Sequence, residues 1–248
     1  MTQVTLLSGE TVVMRCLALT AAFETSTLPP DCFCGITGDF DGQGLSFGAL
    51  QWNLGRGTLQ PLLWTFLREH DDLAIEIFGA QRNMIEQLLR APVPSQLNFV
   101  RRLQNQRFQF QEPWRGMLTS MGQTPEFQAI QCDAAGKYLD RAKALVREFA
   151  LRSQRGLALM FDIAVQNGSI NKVVTKQILK DFASIPEDDP ETEKLITIAR
   201  RRAAASVERF RADVLARKLT IAEGVGTVHG LRYNLADQFG LTLEPHGL

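Results

Sequence analysis

The sequence predicts a mainly α-helical fold of the α+β class, with one small β-hairpin near residues 35–52. Apolar residues recur at helical spacing over most of the 248 residues, from a first helix predicted at residues 10–23 to a short one at 231–239. Residues 35–57 are the exception, because glycines there separate short apolar pieces and Asp41-Gly42 is a turn signal between candidate strands. We expect residues 1–248 to form a single domain, with two helical lobes around a cleft.

The first predicted helix leads directly to a glutamate. Its buried row follows i, i+3, i+4, i+7 spacing from Val13 to Thr20. Glu24 extends this row by one turn, so we expect its carboxyl on the buried side of the helix. Pro29-Pro30 then prevents the helix from continuing.

The rest of the chain is predicted to be helical, with clear start and stop signals. Thr58 is the expected N-cap of a helix over 59–69, and Thr124-Pro125 starts another. Gly168 is an expected helix end, and residues 220–230 are interpreted as a glycine-rich surface loop. A polar loop is predicted from Pro186 to Pro190. The remaining helices are predicted at 81–90, 95–105, 113–121, 125–151, 155–166, 170–182 and 190–217.

Composition excludes several classes of function. The 27 basic and 27 acidic residues cancel, which gives no support to nucleic-acid binding, and no apolar run is long enough to span a membrane. The four cysteines and three histidines lack the spacing of a zinc site, so no metal or cofactor is predicted. The apolar N-terminal segment follows an acidic residue and contains Arg15, so we interpret it as a helix rather than a signal peptide.

Basic residues cluster near the C-terminal helices, at Arg200-Arg201-Arg202, Arg209 and Arg211. A solvated helix face is the simpler interpretation. The alternative is a basic wall that faces an acidic polymer or an internal acidic partner.

Two carboxyls stand in unlike predicted settings. An apolar environment would raise the pKa of Glu24 and keep its proton, as a general acid requires. Asp41 lies in a polar, glycine-rich loop that should leave it ionised, with Asp39 as a competitor for the same role. Such a pair is what acid-catalysed cleavage of a glycosidic bond needs. A nucleophilic pair of Cys16 or Cys34 with His229 is an alternative.

The loop around Asp41 has other possible interpretations. It begins like an EF-hand calcium loop, but Leu50 occupies the position that requires a bidentate glutamate. A phosphate-binding loop is the other alternative, but no phosphate-binding motif is present. A plain turn is the simplest alternative. If the site binds sugar, Ser46 could hold the attacking water, and the amides of Gln51 and Asn53 could bind substrate.

These residues resemble a known family. Phe23-Glu24-Thr25, followed by the Asp41-Gly42-Gln43-Gly44-Leu45-Ser46 loop, resembles the family 46 chitosanases and their relatives in the lysozyme superfamily. The resemblance implies a lysozyme-like, two-lobed helical fold and a catalytic domain that inverts configuration. It implies that Glu24 is the acid and Asp41 the base, while Ser46 replaces a threonine that positions the water.

Two further segments resemble the same group. Residues 48–52 are similar to a strand of phage and goose-type lysozymes. Residues 160–168 resemble the central cleft-lining helix, which makes Asp162, Gln166 and Asn167 candidate substrate-binding residues.

The predicted substrate is a polysaccharide. Chitosanases bind cationic glucosamine with many acidic residues, and no unusual acidic cluster is visible in this sequence. We therefore expect a lysozyme-like hydrolase of β-1,4 bonds in bacterial peptidoglycan. Chitosan is the alternative substrate. The alternative function is a non-catalytic glycan-binding or phage structural module. The resemblance extends to antibacterial effectors and phage lysins. It implies action in the periplasm or outside the cell, export by a non-Sec route or phage lysis, and an immunity protein or secretion apparatus as partner.

Overall fold

The computed structural model describes residues 10–186 and 191–248. Over these residues the predicted mainly α-helical fold is confirmed, with thirteen α-helices, a short 3-10 helix at Asp31–Cys34 and two small sheets. The helices are α1 (Val12–Thr25), α2 (Gln60–Glu69), α3 (Asp71–Phe78), α4 (Gln81–Arg90), α5 (Val93–Arg101), α6 (Trp114–Gln123), α7 (Pro125–Ala134), α8 (Gly136–Glu148), α9 (Gln154–Asn167), α10 (Lys172–Phe182), α11 (Glu191–Ala204), α12 (Glu208–Glu223) and α13 (Leu235–Phe239). The strands are β1 (Ile36–Thr37), β2 (Ser46–Phe47), β3 (Trp52–Asn53), β4 (Val225–Val228) and β5 (Leu231–Asn234).

The chain divides into two compact units. The first unit combines the described residues up to Ser26 with those from Gly136 onwards, and the second unit is Thr27–Ala135. Within the ranges described, no helix has the length and hydropathy needed to cross a membrane. Most of the loop predicted from Pro186 to Pro190 lies outside these ranges.

Helix α9 is the central element of the first unit. It packs against α1, α8, α11 and α12, and its residues from Arg155 to Ala164 are all buried. A helix that is apolar nearly all round must be enclosed by other elements. The Ser153 hydroxyl caps its start by accepting from the Gly156 amide at 2.9 Å, and Gly168 at φ 77° ends it as predicted.

A second sheet replaces the surface loop predicted at 220–230, so that prediction is wrong. Helix α12 continues to Glu223, and β4 and β5 then form an antiparallel hairpin that packs on α12. His229 and Gly230 make its two-residue turn with φ of 49° and 81°, the left-handed conformation that such hairpins require. The glycines that suggested a loop are part of this hairpin.

The second unit contains the predicted β element, with one strand more than a hairpin. Strands β1, β2 and β3 form an antiparallel sheet in that order. The buried side chain of Gln131 holds it from α7, accepting from the Ala49 amide at 2.7 Å and donating to the Phe33 carbonyl at 3.1 Å.

Several predicted helix boundaries are wrong. The helix predicted at 125–151 is two helices that meet at Gly136, where the two units also divide. The helix predicted at 190–217 breaks at Val207, whose backbone is extended (φ −55°, ψ 136°). Thr58 is not an N-cap, because its hydroxyl binds the backbone of Asn53. Helix α3 was not predicted, and residues 231–239 are β5 followed by α13.

Candidate active site

Glu24 lies in the last turn of α1, on the wall of a cavity of ≈ 580 Å³ in the first unit. Its side chain is 32% exposed, so the expected burial in an apolar environment is wrong. Helix α1 is buried without interruption from Cys16 to Phe23, and it leaves the core at Glu24.

The carboxylate of Glu24 is bound by a buried arginine. Arg217 of α12 donates from Nη1 to Glu24 Oε1 at 2.8 Å, and its guanidinium lies 5.2 Å from the centre of the Phe23 ring. The Arg217 side chain is only 3% exposed. A guanidinium removed from water needs anionic partners, and Glu24 is one of them.

The second partner of Arg217 is Asp162, at the centre of α9. Its carboxylate is fully buried and accepts from Arg217 Nη2 at 2.6 Å, from the Lys218 ammonium and from the Thr20 hydroxyl at 3.4 Å. Burial alone would raise the pKa of Asp162, but the charges of Arg217 and Lys218 and their hydrogen bonds lower it to about 2. Asp162 is therefore ionised at any physiological pH. It has no exposed surface with which to contact substrate, and it holds Arg217 instead.

The two cations respond differently to burial. Burial would lower the pKa of Arg217, but Asp162 and Glu24 raise it well above its usual value. For Lys218, burial and the charge of Arg217 outweigh the attraction of Asp162 and lower the pKa to about 8. At neutral pH both side chains remain charged, so Arg217 and Lys218 together face the carboxylate of Asp162, and Arg217 also binds Glu24.

The β4–β5 hairpin fixes the end of α1 from the other side. The His229 ring approaches the Phe23 carbonyl with Nδ1 at 3.1 Å, and the Tyr233 hydroxyl donates to the Ala22 carbonyl at 3.3 Å. Carbonyls in the last turn of a helix have no partner within it. The hairpin supplies two of those partners immediately before Glu24.

His229 also pairs with a carboxylate on α12. Its Nε2 lies 2.6 Å from Asp213 Oδ1, so both ring nitrogens face acceptors. The second oxygen of Asp213 accepts from the Gln166 amide at 3.2 Å, which leaves Asp213 fully engaged.

Gln166 and Asn167, two of the predicted substrate-binding residues, line the cavity beside Glu24. The amide of Gln166 is bound on both sides, since its oxygen also accepts from the Lys218 ammonium at 2.7 Å. Asn167 differs, because its Oδ1 is buried and has no partner within the described part of the chain. Of the two amides, Asn167 is the one with unused hydrogen-bonding capacity.

In the second unit, the two competing aspartates have different environments. Asp39 is buried, accepts from the Gly44 amide at 2.5 Å and pairs with Arg101, so it holds the loop closed. Asp41 is exposed and accepts only from the Gln43 amide, at 3.1 Å, among the described contacts. One carboxylate oxygen of Asp41 therefore faces solvent.

The other predicted residues of this unit support the sheet. The Gln51 amide binds the carbonyls of Gly35 and Gly48 and accepts from Thr37 at 2.6 Å. Asn53 donates to the Ser46 hydroxyl at 2.7 Å and accepts from the Arg56 amide at 3.0 Å. Gln51 and Asn53 are therefore occupied by the protein, and Ser46 is oriented by Asn53.

The cysteine alternative lacks chemical support. Burial raises the pKa of Cys34 to about 12 and that of Cys32 well above its usual value, and Cys16 is also buried. A nucleophilic cysteine needs a thiolate at working pH. These side chains are neutral packing residues.

Comparison with known proteins gives matches only at the level of structure. No protein-family model and no curated protein sequence matches the chain. A chitosanase OU01 structure solved with substrate is 20% identical, with a TM-score of 0.54 over 89% of this chain and 94% of that one. The family GH46 chitosanase GsCsn46A of Gynuella sunshinyii, solved with chitotetraose, is 15% identical, with a TM-score of 0.53 over 90% and 96% of the two chains.

The protein therefore has the lysozyme-like, mainly helical fold of the GH46 chitosanases. At these identities the likeness establishes the fold alone, and the chemistry has to be argued from the residues.

The residues around Glu24 that lie on α12 were not among the predicted site residues. Asp213 and Arg217 are four residues apart, and this spacing places both on one face of a helix. A polar pair at that spacing, beside the apolar row of α12, is the sequence pattern that could have indicated these site residues. His229 had been considered only as a partner for a cysteine.

We predict that Asp162→Asn lowers the free energy of unfolding by about 3–5 kcal/mol, because it leaves two buried cations with one anionic partner fewer. Urea denaturation at pH 7 measures this change. Adding Lys218→Met to Asp162→Asn should restore part of the loss, since it removes the surplus cation. Asp181→Asn, which disrupts the exposed pair with Arg201, is the matched control and should change little. Equal effects of Asp162→Asn and Asp181→Asn would contradict the role given to the cluster.

Proposed function

We propose that the protein is a glycoside hydrolase that cleaves the β-1,4 bonds of bacterial peptidoglycan, as a lysozyme does. The observation that carries this proposal is the position of Glu24: a partly exposed carboxyl on a cavity wall, bound through one oxygen by the buried Arg217. The chitosanase fold, with a half-exposed aromatic ring, Phe210, on the same wall, supports a carbohydrate ligand.

Glu24 acts as the general acid. Arg217 donates to Oε1, so the proton is carried by Oε2 and passes to the glycosidic oxygen as its bond to the anomeric carbon breaks. The carboxylate left on Glu24 is then stabilised by Arg217, whose charge Asp162 fixes in place. The proton is restored from solvent after the products leave.

Asp41 acts as the general base. It removes a proton from the water that attacks the anomeric carbon from the opposite face, and the Ser46 hydroxyl helps to position that water. Attack from that face inverts the configuration. The exposed oxygen of Asp41 supports this role, whereas Asp39 is already committed to Arg101 and the Gly44 amide.

The charges around Glu24 support peptidoglycan over chitosan. The carboxylates that line the cavity already have partners within the protein: Glu24 pairs with Arg217, and Asp213 accepts from Gln166 and lies 2.6 Å from His229 Nε2. A glucosamine polymer is cationic and needs unpaired carboxylates, which the described cavity wall does not offer. A polymer of N-acetylated and acidic sugars does not need them.

The alternative substrate is chitosan, which the names of the similar structures favour. Peptidoglycan lies outside the cytoplasmic membrane, so we propose action in the periplasm or outside the cell. Delivery as an antibacterial effector, with an immunity protein and a secretion apparatus as partners, or release during phage lysis would bring the protein there. A non-catalytic glycan-binding or phage structural module would keep the cavity and bind glycan without cleaving it.

We predict that Glu24→Gln reduces the rate of wall lysis about 10²–10⁴-fold, because the amide cannot donate the catalytic proton. Its oxygen can still accept from Arg217, and Glu24 is partly exposed whereas Asp162 is fully buried, so the unfolding temperature should fall less than in Asp162→Asn. Turbidity loss of purified cell walls measures the rate. Glu223→Gln, at the exposed end of α12, is the matched control and should keep full activity. Full activity of Glu24→Gln would reject Glu24 as the general acid. Wild-type protein that is inactive on every glycan would reject the proposal that the protein is an enzyme.

We predict that Asp41→Asn and Asp39→Asn fail in different ways. Asp41→Asn should lower kcat about 10²–10⁴-fold with unchanged stability, since only the base is lost. Asp39→Asn should lower the free energy of unfolding, because its buried carboxylate pairs with Arg101. Steady-state kinetics beside urea denaturation separates the two. Wild-type kcat in Asp41→Asn would remove Asp41 from the mechanism.

A further inference from the structure

Arg202 of α11 is a half-buried arginine that lines the cavity of Glu24 and also a neighbouring one of ≈ 290 Å³. The two cavities share Asn167, Arg202 and Ala205, all within the first unit. Arg202 therefore borders both cavities.

The three consecutive arginines of α11 have different surroundings. Arg200 is exposed, and Arg201 pairs with Asp181. Arg202 alone of the three lines the cavities. The exposed Arg200 and the ion-paired Arg201 agree with a solvated helix face, whereas Arg202 does not.

Arg202 has no anionic partner among the described residues. Arg217 pairs with Glu24 and Asp162, and His229 pairs with Asp213. Arg202, in contrast, makes no ion pair within the described ranges and donates from Nη1 to the Ser206 hydroxyl at 3.2 Å. Its Nε, like that of Arg217, is buried without a partner among the described residues.

The positive charge of Arg202 is uncompensated. Burial lowers the pKa of Arg202, and its charge contributes to lowering the pKa of Lys218, so the two cations repel each other. Of the cations Arg202, Arg217 and Lys218, only Arg202 has no ion pair with a carboxylate among the described residues. A partly buried charge of this kind costs free energy, which an anionic ligand would offset.

The geometry of the side chain indicates which anion fits. A guanidinium presents a planar fork of donors that matches a carboxylate. Asn167 lies on the same shared wall, and its amide oxygen is buried without a partner among the described residues.

We propose that Arg202 is a specificity-determining residue, which binds a carboxylate carried by the glycan strand beside the scissile bond. The inference rests on the proposed function, because the ligand is the substrate of that reaction. It predicts selection of muramyl polymers over chitosan: the acidic substituent compensates Arg202, whereas an ammonium group would be repelled.

The carboxylate has two possible sources in peptidoglycan, the lactyl group of a bare muramyl residue or the attached peptide. Calorimetric titration with three disaccharides separates them: N-acetylglucosaminyl-N-acetylmuramic acid, the same disaccharide with a dipeptide on its lactyl group, and N,N′-diacetylchitobiose, which has no carboxylate. Wild-type protein should prefer one or both acidic ligands. The preferred acidic ligand identifies the source.

Arg202→Gln should weaken binding of the preferred acidic ligand about 10–100-fold, the loss of one charge-assisted contact. Binding of diacetylchitobiose should stay unchanged. Arg200→Gln, exposed on the same helix, is the matched control and should behave as wild type. Arg202→Lys keeps the positive charge but lacks the planar pair of donors, so its affinity for the acidic ligand should fall by an intermediate amount. If Arg202→Gln does not fold, Arg202→Lys provides the test.

Unchanged affinity of Arg202→Gln for both acidic ligands would overturn the inference. If Arg202→Gln keeps its affinity and wild-type protein lyses walls, the proposed function stands but the role of Arg202 does not. If wild-type protein binds none of the three disaccharides and cleaves no wall, both fail.

Discussion

The buried carboxylate of Asp162 is the constraint on which the rest of the first unit depends. A charge with no exposed surface is tolerated only when it is paired, and Asp162 is paired with both Arg217 and Lys218. These residues lie on α9 and α12, and Arg217 extends the contact to Glu24 at the end of α1. The positions of three helices, and of the carboxyl proposed as the general acid, are thus tied to a single buried group.

The β4–β5 hairpin completes that constraint. It bonds to the carbonyls of Ala22 and Phe23, and through His229 it also occupies Asp213. One element therefore fixes the backbone before Glu24 and removes a free carboxylate from the cavity. Positioning of the acid and the choice of substrate charge follow from the same contacts.

The sequence was informative where the signal is local. A glutamate at the end of an apolar helix, an aspartate in a glycine-rich turn and a short sheet near residues 35–52 are all visible in spacing and turn chemistry. The environment of Glu24 could not be predicted from the sequence, because its partner Arg217 is 193 residues away along the chain. For the same reason, only the structure separates Asp39, which is bound by Arg101, from Asp41. The break at Val207 was not predicted because good helix formers flank it on both sides. The hairpin at 225–234 was not predicted because its glycines suggested a loop.

The most direct test of this account is mass spectrometry of the products released from purified peptidoglycan and, in parallel, from chitosan. The account predicts muropeptides with new reducing ends from peptidoglycan and few products from chitosan, since the cavity pairs its carboxylates and leaves Arg202 uncompensated. Glucosamine oligomers released from chitosan, with peptidoglycan left intact, would contradict it.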